Sequence, residues 1–147
     1  MLRQFLVGGA VSVCNIVIHA FVTVLVVLVA QRMSARNIEQ SSLLLVGIMV
    51  SVVVVLMVAH AAEVAVWSLA YMIAGAVPAG KSLIYFAFVN YTTLGYGDIT
   101  PVENWQLLGP MTAMNGVLLF GWSTAVIFDV LRRTMRFGSV AASAGEQ

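Results

Sequence analysis

Residues 92–98 read Thr-Thr-Leu-Gly-Tyr-Gly-Asp, a spacing that allows the backbone itself to coordinate a cation. Glycine adopts positive φ angles without steric cost, so glycine at every second position lets successive carbonyl groups point in one direction. Gly95 and Gly97 alternate here with Leu94 and Tyr96, whose side chains are expected to turn away and brace the segment from behind. A column of carbonyl oxygens can replace the water around a dehydrated cation. The first candidate chemistry is therefore ion coordination by backbone oxygens.

Four polar or ionisable side chains interrupt long apolar stretches, where such groups are costly and by default mark function or a specific partner. They are Asn15, His19, His60 and Glu63. Asn15 and His19 are four residues apart, and His60 and Glu63 are three apart, so the two members of each pair share a helix face. Counting depth along two antiparallel helices predicts contacts of Asn15 with Glu63 and of His19 with His60. We favour a structural clasp over a pH sensor. A metal site is weakly supported, because one His–Glu pair has no third ligand.

The composition is that of a membrane protein, with 61% apolar and 9% charged residues. A soluble domain carries about a quarter charged residues. Stretches over about 5–30, 43–76 and 105–131 are long enough to cross a bilayer as helices, which takes ~20 residues each. The first is expected to be a retained helix, because its apolar run is too long for a secretory signal. The formal net charge of +1 gives no argument for nucleic-acid binding.

The shorter segment 78–101 lies between the second and third apolar stretches and contains the glycine alternation. Pro78 and Gly80 are expected to end the second helix, and Ser82 can cap a short helix over 83–91. Such a helix would enter the membrane part-way and deliver the chain to the glycine alternation.

Residues 93–98 resemble the TxGYGD selectivity filter of the potassium channel pore-domain family, and the resemblance covers about 43–133. It implies a re-entrant pore helix, a filter formed by residues 92–98, and a homotetramer, because one chain offers one quarter of a fourfold cage. It also implies K⁺ sites at the carbonyl oxygens of four residues and at the hydroxyl of the first of them. These residues are Thr93, Leu94, Gly95 and Tyr96.

The same resemblance assigns supporting roles around the filter. Tyr85 and Phe86 match the family's aromatic cuff, and Asp98 is expected to accept a hydrogen bond from the Tyr85 hydroxyl. Val89 stands where some members carry a buried glutamate behind the filter, so gating through that carboxylate is not expected. Leu94 replaces the commoner valine.

The third apolar stretch resembles the family's inner, pore-lining helix. Gly116 and Gly121 are candidate hinges, although transmembrane helices use glycine for close packing equally often. Pro110 is expected to remove a helical hydrogen bond and kink the helix. Counting from the filter places four residues on the pore-facing side. They are Leu118, Gly121, Ala125 and Asp129. Asp129 either forms a carboxylate ring at the cytoplasmic mouth or pairs with Arg132 or Arg133, and we favour the pairing.

The expected fold is an all-α membrane protein with three transmembrane helices, a re-entrant pore helix and a filter loop, assembled as a homotetramer. Residues 1–41 form an additional N-terminal helix and a loop, 42–136 the pore domain, and 137–147 a short cytoplasmic tail. With the filter facing outwards, five arginines lie inside and only Arg3 and Lys81 lie outside. This asymmetry satisfies the positive-inside rule and predicts a cell-membrane protein with its N-terminus outside and C-terminus cytoplasmic.

The resemblance implies passive K⁺ conduction, with K⁺ in the filter, no organic cofactor and no enzymatic activity. The alternatives are a weakly selective cation channel and a non-conducting accessory subunit. No helix carries arginine at every third position, so a voltage sensor of the usual kind is not expected. Gating is left to the pore itself, to membrane lipid, to pH or to an unidentified regulatory subunit.

Overall fold

The computed structural model describes residues 1–34 and 42–144, and within these ranges the chain is helical with connecting turns. Helix α1 covers Leu2–Ser34, α2 Ser42–Ala74, α3 Leu83–Tyr91 and α4 Leu108–Ala144. A single 3₁₀ turn over Glu103–Trp105 precedes α4. The predicted all-α architecture is confirmed for the described residues.

Three segments of the described residues are long and apolar enough to cross a membrane: Leu2–Arg32, Leu45–Ala74 and Glu103–Thr134. Helices α1 and α2 contain 33 residues each, about 50 Å of helix at 1.5 Å per residue. The hydrocarbon core of a bilayer is about 30 Å thick, so both helices are long enough to span it with tilt or to extend beyond it. Most large apolar side chains on their outer faces are exposed, as a lipid-facing surface requires.

Helix α3 begins and ends where the sequence predicts. The hydroxyl of Ser82 accepts a hydrogen bond from the Tyr85 backbone N–H at 3.4 Å, which satisfies one of the free donors of the first turn. Upstream, α2 ends at Ala74 and is followed by Gly75, whose φ of 63° lies in the left-handed region that favours glycine after a helix. The Ala76 N–H bonds back to the Tyr71 carbonyl at 3.0 Å.

The core lies between α2, α3 and α4, with α1 at its edge. Its largest buried side chains include Trp67, Tyr71, Phe86, Tyr91 and Leu108. The N-terminal helix α1, which the sequence analysis predicted as an addition to the pore domain, packs against both α2 and α4. Its Gln4 side chain accepts a hydrogen bond from the Leu107 N–H at 2.8 Å, next to the start of α4. α1 is therefore packed onto the rest of the chain along its length and is not a detached helix.

Glycine allows the end of α3 to approach the backbone of α4. A Cβ atom at Gly116 would lie 2.0 Å from the Tyr91 carbonyl oxygen, whereas a Cβ at Gly121 would meet no atom within 4 Å. Of the two predicted hinge candidates, Gly116 therefore serves close packing, as small residues do between membrane helices.

Three features of the helices differ from the sequence prediction: the kink at Pro110, the end of α1 and the end of α4. Pro110 lies in the first turn of α4, where its missing N–H would have had no helical partner, so the predicted kink has no cause. Helix α1 continues to Ser34 into the predicted loop, whose positions 35–41 lie outside the described residues. Helix α4 continues to Ala144, into the predicted tail, and positions 145–147 lie outside the described residues.

Candidate functional site

The glycine segment, residues 92–98, leaves α3 with an alternating backbone. Thr93, Gly95 and Gly97 have φ angles of 60°, 59° and 75°, so every second residue is left-handed. The alternation was predicted for the two glycines, whereas Thr93 was not foreseen. A non-glycine residue with positive φ is uncommon and costs backbone energy, and such conformations cluster at functional sites. This alternation is the geometry that turns successive carbonyl groups towards one side.

Backbone hydrogen bonds hold the start of the glycine segment against α3. The Val89 carbonyl accepts from the N–H groups of Leu94 at 3.0 Å and Gly95 at 3.4 Å. The Thr93 N–H donates to the Asn90 carbonyl at 3.0 Å, and its hydroxyl donates to the Thr92 carbonyl at 2.6 Å. Val89 thus supports this segment through its carbonyl oxygen, and its side chain is buried.

The side chains of the glycine segment lie on the surface of the single chain. Leu94 is 54% exposed and Tyr96 is 67% exposed. The bracing expected of these two side chains is therefore not made within one chain. An exposed leucine and an exposed aromatic ring in the same short segment leave a surface suited to contact with another chain.

A hydrogen bond joins α3 to the last residue of the glycine segment. The Tyr85 hydroxyl donates to the Asp98 carboxylate at 2.9 Å, which confirms the predicted contact. This hydrogen bond raises the pKa of Tyr85 above its ordinary value, because it stabilises the protonated phenol beside a negative charge. Phe86, the other member of the predicted aromatic pair, points into the core, where its ring lies 4.9 Å from that of Tyr71.

The candidate pore-lining residues of α4 fall into two groups. Leu118, Gly121 and Ala125 are exposed on the surface of the single chain. The carboxylate of Asp129 instead pairs with Arg133 at 2.6 Å and with Arg132 at 3.4 Å. The favoured pairing of Asp129 is thus present in the chain.

A buried polar cluster at the C-terminal end of α3 contains side chains from all four helices. The residues of this polar cluster are Asn15, His19, His60, Glu63, Trp67, Tyr91, Asn115 and Ser123. At its centre, the Glu63 carboxylate bonds His19 Nδ1 at 2.8 Å and His60 Nδ1 at 3.0 Å, and it accepts a hydrogen bond from the Tyr91 hydroxyl. Both Nε2 atoms contact Ser123 Oγ, at 3.2 Å from His19 and 2.9 Å from His60.

The predicted contacts of Asn15 with Glu63 and of His19 with His60 are confirmed, the two imidazole ring centres lying 5.2 Å apart. The structure adds that both histidines bond the Glu63 carboxylate. The Asn15 amide donates to the backbone carbonyl of Glu63 at 3.2 Å and to the Asn115 side-chain oxygen at 3.1 Å. Depth counting found these two contacts but not the bonds that both histidines make with Glu63, because those depend on how the helices rotate about their axes.

Four members of the polar cluster were missed by the sequence analysis. They are Trp67, Tyr91, Asn115 and Ser123. Asn115 and Ser123 carried the same signal as Asn15, since both interrupt the apolar stretch of the third helix. Asn115 accepts from the Trp67 indole N–H at 3.0 Å. Tyr91 gave no such signal, because an aromatic residue at the end of a short apolar helix is ordinary core composition.

Comparison with known proteins gives one family match. The sequence model of a family described as ion channel matches residues 43–133, which is more than half of the chain. These residues include all of α2 except Ser42, together with α3, the glycine segment and most of α4, whereas α1 lies outside the match. Comparison with curated proteins and with solved structures returned no match.

Proposed function

This chain belongs to the ion channel family, and we propose that it is a potassium-selective member that conducts K⁺ passively across the cell membrane. The observation that carries the proposal is the alternation of left-handed residues at Thr93, Gly95 and Gly97. This backbone can present a column of carbonyl oxygens to a dehydrated cation, with the Thr93 hydroxyl at its inner end. The ions would occupy sites formed by the carbonyl oxygens of residues 93–96.

The proposal requires four chains around one axis, because a single glycine segment provides only one side of a cage. The exposed side chains of Leu94 and Tyr96 support this assembly, since neighbouring chains would cover them. The exposed residues Leu118, Gly121 and Ala125 are then the candidates for the central pore. The N-terminus outside and the C-terminus in the cytoplasm remain the orientation that the arginine distribution favours.

Flux through liposomes tests the proposal. The full-length protein is reconstituted, its assembly mass is measured in detergent, and K⁺ flux is compared with Na⁺ flux with and without Ba²⁺. The key variant is Gly95→Ala. A Cβ at Gly95 would meet only the Thr93 carbonyl at 3.9 Å, an ordinary contact, so the damage would come from the backbone angle. Holding an L-residue in the left-handed conformation costs roughly 1–2 kcal/mol. In an assembly of four chains the same substitution would cost about 4–8 kcal/mol in total.

Gly47→Ala is the matched control, because a Cβ there meets no atom within 4 Å and the residue lies in a helix with ordinary φ. We expect Ba²⁺-sensitive K⁺ flux that Gly95→Ala abolishes and Gly47→Ala retains. Equal K⁺ and Na⁺ fluxes would instead identify a weakly selective cation channel. A correctly assembled protein that conducts neither ion under any condition would favour the accessory subunit.

A further inference from the structure

We propose that the centre of the polar cluster is a binding site for a divalent transition metal of the zinc class, with His19, His60, Glu63 and Tyr91 as ligands. The site is separate from the carbonyl oxygens of the glycine segment, and its existence does not depend on K⁺ conduction. The sequence alone offered only the His60–Glu63 pair. The fold brings His19 from α1 to the same carboxylate and Tyr91 from α3 to the same place.

The ligand atoms already lie close together. One atom each from His19, His60 and Glu63 lie within 4.8 Å of one another, and the Tyr91 hydroxyl lies 2.9 Å from His60 Nδ1. Tetrahedral zinc with bonds of about 2.0–2.1 Å separates its ligand atoms by about 3.3 Å. Small rotations of these side chains are therefore enough to enclose an ion. Two imidazole nitrogens with two oxygens suit zinc and its neighbours in the first transition row, rather than Mg²⁺ or Ca²⁺.

Counting hydrogens shows that the polar cluster lacks one cation. Four contacts form a closed ring from Glu63 to His19, to Ser123, to His60 and back to Glu63. Two neutral imidazoles and one serine hydroxyl supply three hydrogens for these four contacts. With Glu63 ionised, at least one contact has no hydrogen and a full negative charge stands buried within the membrane. One additional cation, a metal ion or a proton, corrects both deficits.

The position of Ser123 favours a metal as that cation. A hydroxyl oxygen has two lone pairs, so Ser123 Oγ can accept from the Nε2–H groups of both histidines at once. Both Nδ1 atoms then direct free lone pairs towards Glu63, which is the tautomer that a metal ligand needs. Metal-bound histidines usually donate their other N–H to such an orienting partner. His19 and Glu63 are fully buried and His60 is 14% exposed, so His60 marks the side from which an ion enters.

Metal binding to the purified protein tests the proposal. The full-length chain is stripped with a chelator and titrated with Zn²⁺ alone, and the bound metal per chain is measured after desalting. Co²⁺ is added separately, because its visible absorption reports tetrahedral coordination. We expect about one metal per chain with a tetrahedral Co²⁺ spectrum. His60→Gln should abolish both signals, and Ser123→Ala should weaken Zn²⁺ binding about 10–100-fold, the usual effect of losing an orienting partner.

Glu103→Gln is the matched control, because it removes an exposed carboxylate outside the polar cluster and should bind metal as the unaltered chain does. Size-exclusion profiles and thermal unfolding confirm that each variant is folded. Stoichiometry that is equal in His60→Gln and the unaltered chain, or an unaltered chain that binds no Zn²⁺, overturns the proposal and leaves a proton as the missing cation. The readout is bound metal, so a non-conducting but metal-binding protein would refute the proposed function alone.

Discussion

Replacing Gly116 by alanine is the sharpest test of how α3 is held against α4. The added Cβ would lie 2.0 Å from the Tyr91 carbonyl oxygen and 3.0 Å from its carbonyl carbon. Both atoms belong to the backbone, so the helices themselves must separate by more than 1 Å. Overpacking of this kind costs about 3 kcal/mol at the upper end of its usual range. Alanine regains about 1 kcal/mol through its higher helix propensity, which leaves a net loss of about 2 kcal/mol per chain.

Gly121→Ala is the control on the same helix, because a Cβ there meets no atom within 4 Å. It receives the same propensity gain of about 1 kcal/mol without a clash, so the two variants should differ by about 3 kcal/mol. Thermal unfolding in detergent, followed by size exclusion, measures the difference. Equal midpoints for the two variants would refute the reasoning, because they would show that α3 and α4 do not approach as closely as described.

Two further predictions concern local contacts. Tyr85→Phe removes the donor to Asp98 and should lower the ion flux at every pH up to about 9. The pKa of Tyr85 is raised above 10.0, so the contact is intact below pH 10 and is lost as the pH rises through that raised value. In strongly alkaline buffer the Tyr85 phenolate repels the Asp98 carboxylate, so the ion flux of the unaltered chain should fall while that of Tyr85→Phe keeps its value. An unaltered chain whose flux responds to alkaline pH as Tyr85→Phe does would contradict the assigned hydrogen bond. Pro110→Ala should change the free energy of unfolding by no more than about 0.5 kcal/mol, because Pro110 lies in the first turn of α4. A large stabilisation in thermal unfolding would show that the proline interrupts the helix.

The polar cluster gives helix α1 a defined role in the fold of the chain. His19 reaches Glu63 of α2 and Ser123 of α4, and Gln4 bonds the chain just before α4. Tyr91, the last residue of α3, lies directly before the glycine segment, and its hydroxyl donates to the same carboxylate. A clasp between helices and a metal site are compatible here, because both depend on the same convergence of side chains.

The amino-acid sequence by itself determined the class of the protein and the local features. Apolar length predicted the three candidate spanning helices, Ser82 and its neighbours predicted α3, and the glycine alternation predicted left-handed φ at Gly95 and Gly97. Each of these depends on interactions between residues close in the chain or between the chain and its solvent. For that reason the residue types and their spacing contain the information.

Only the tertiary structure decided which distant groups meet. The convergence of His19, Tyr91 and Ser123 on the surroundings of Glu63 depends on the rotation and depth of four helices. A rotation of one residue, about 100°, would point a polar side chain at lipid instead. Likewise, Gly116 is a packing residue because the end of α3 lies against it, a relation between segments 25 positions apart that no local pattern encodes.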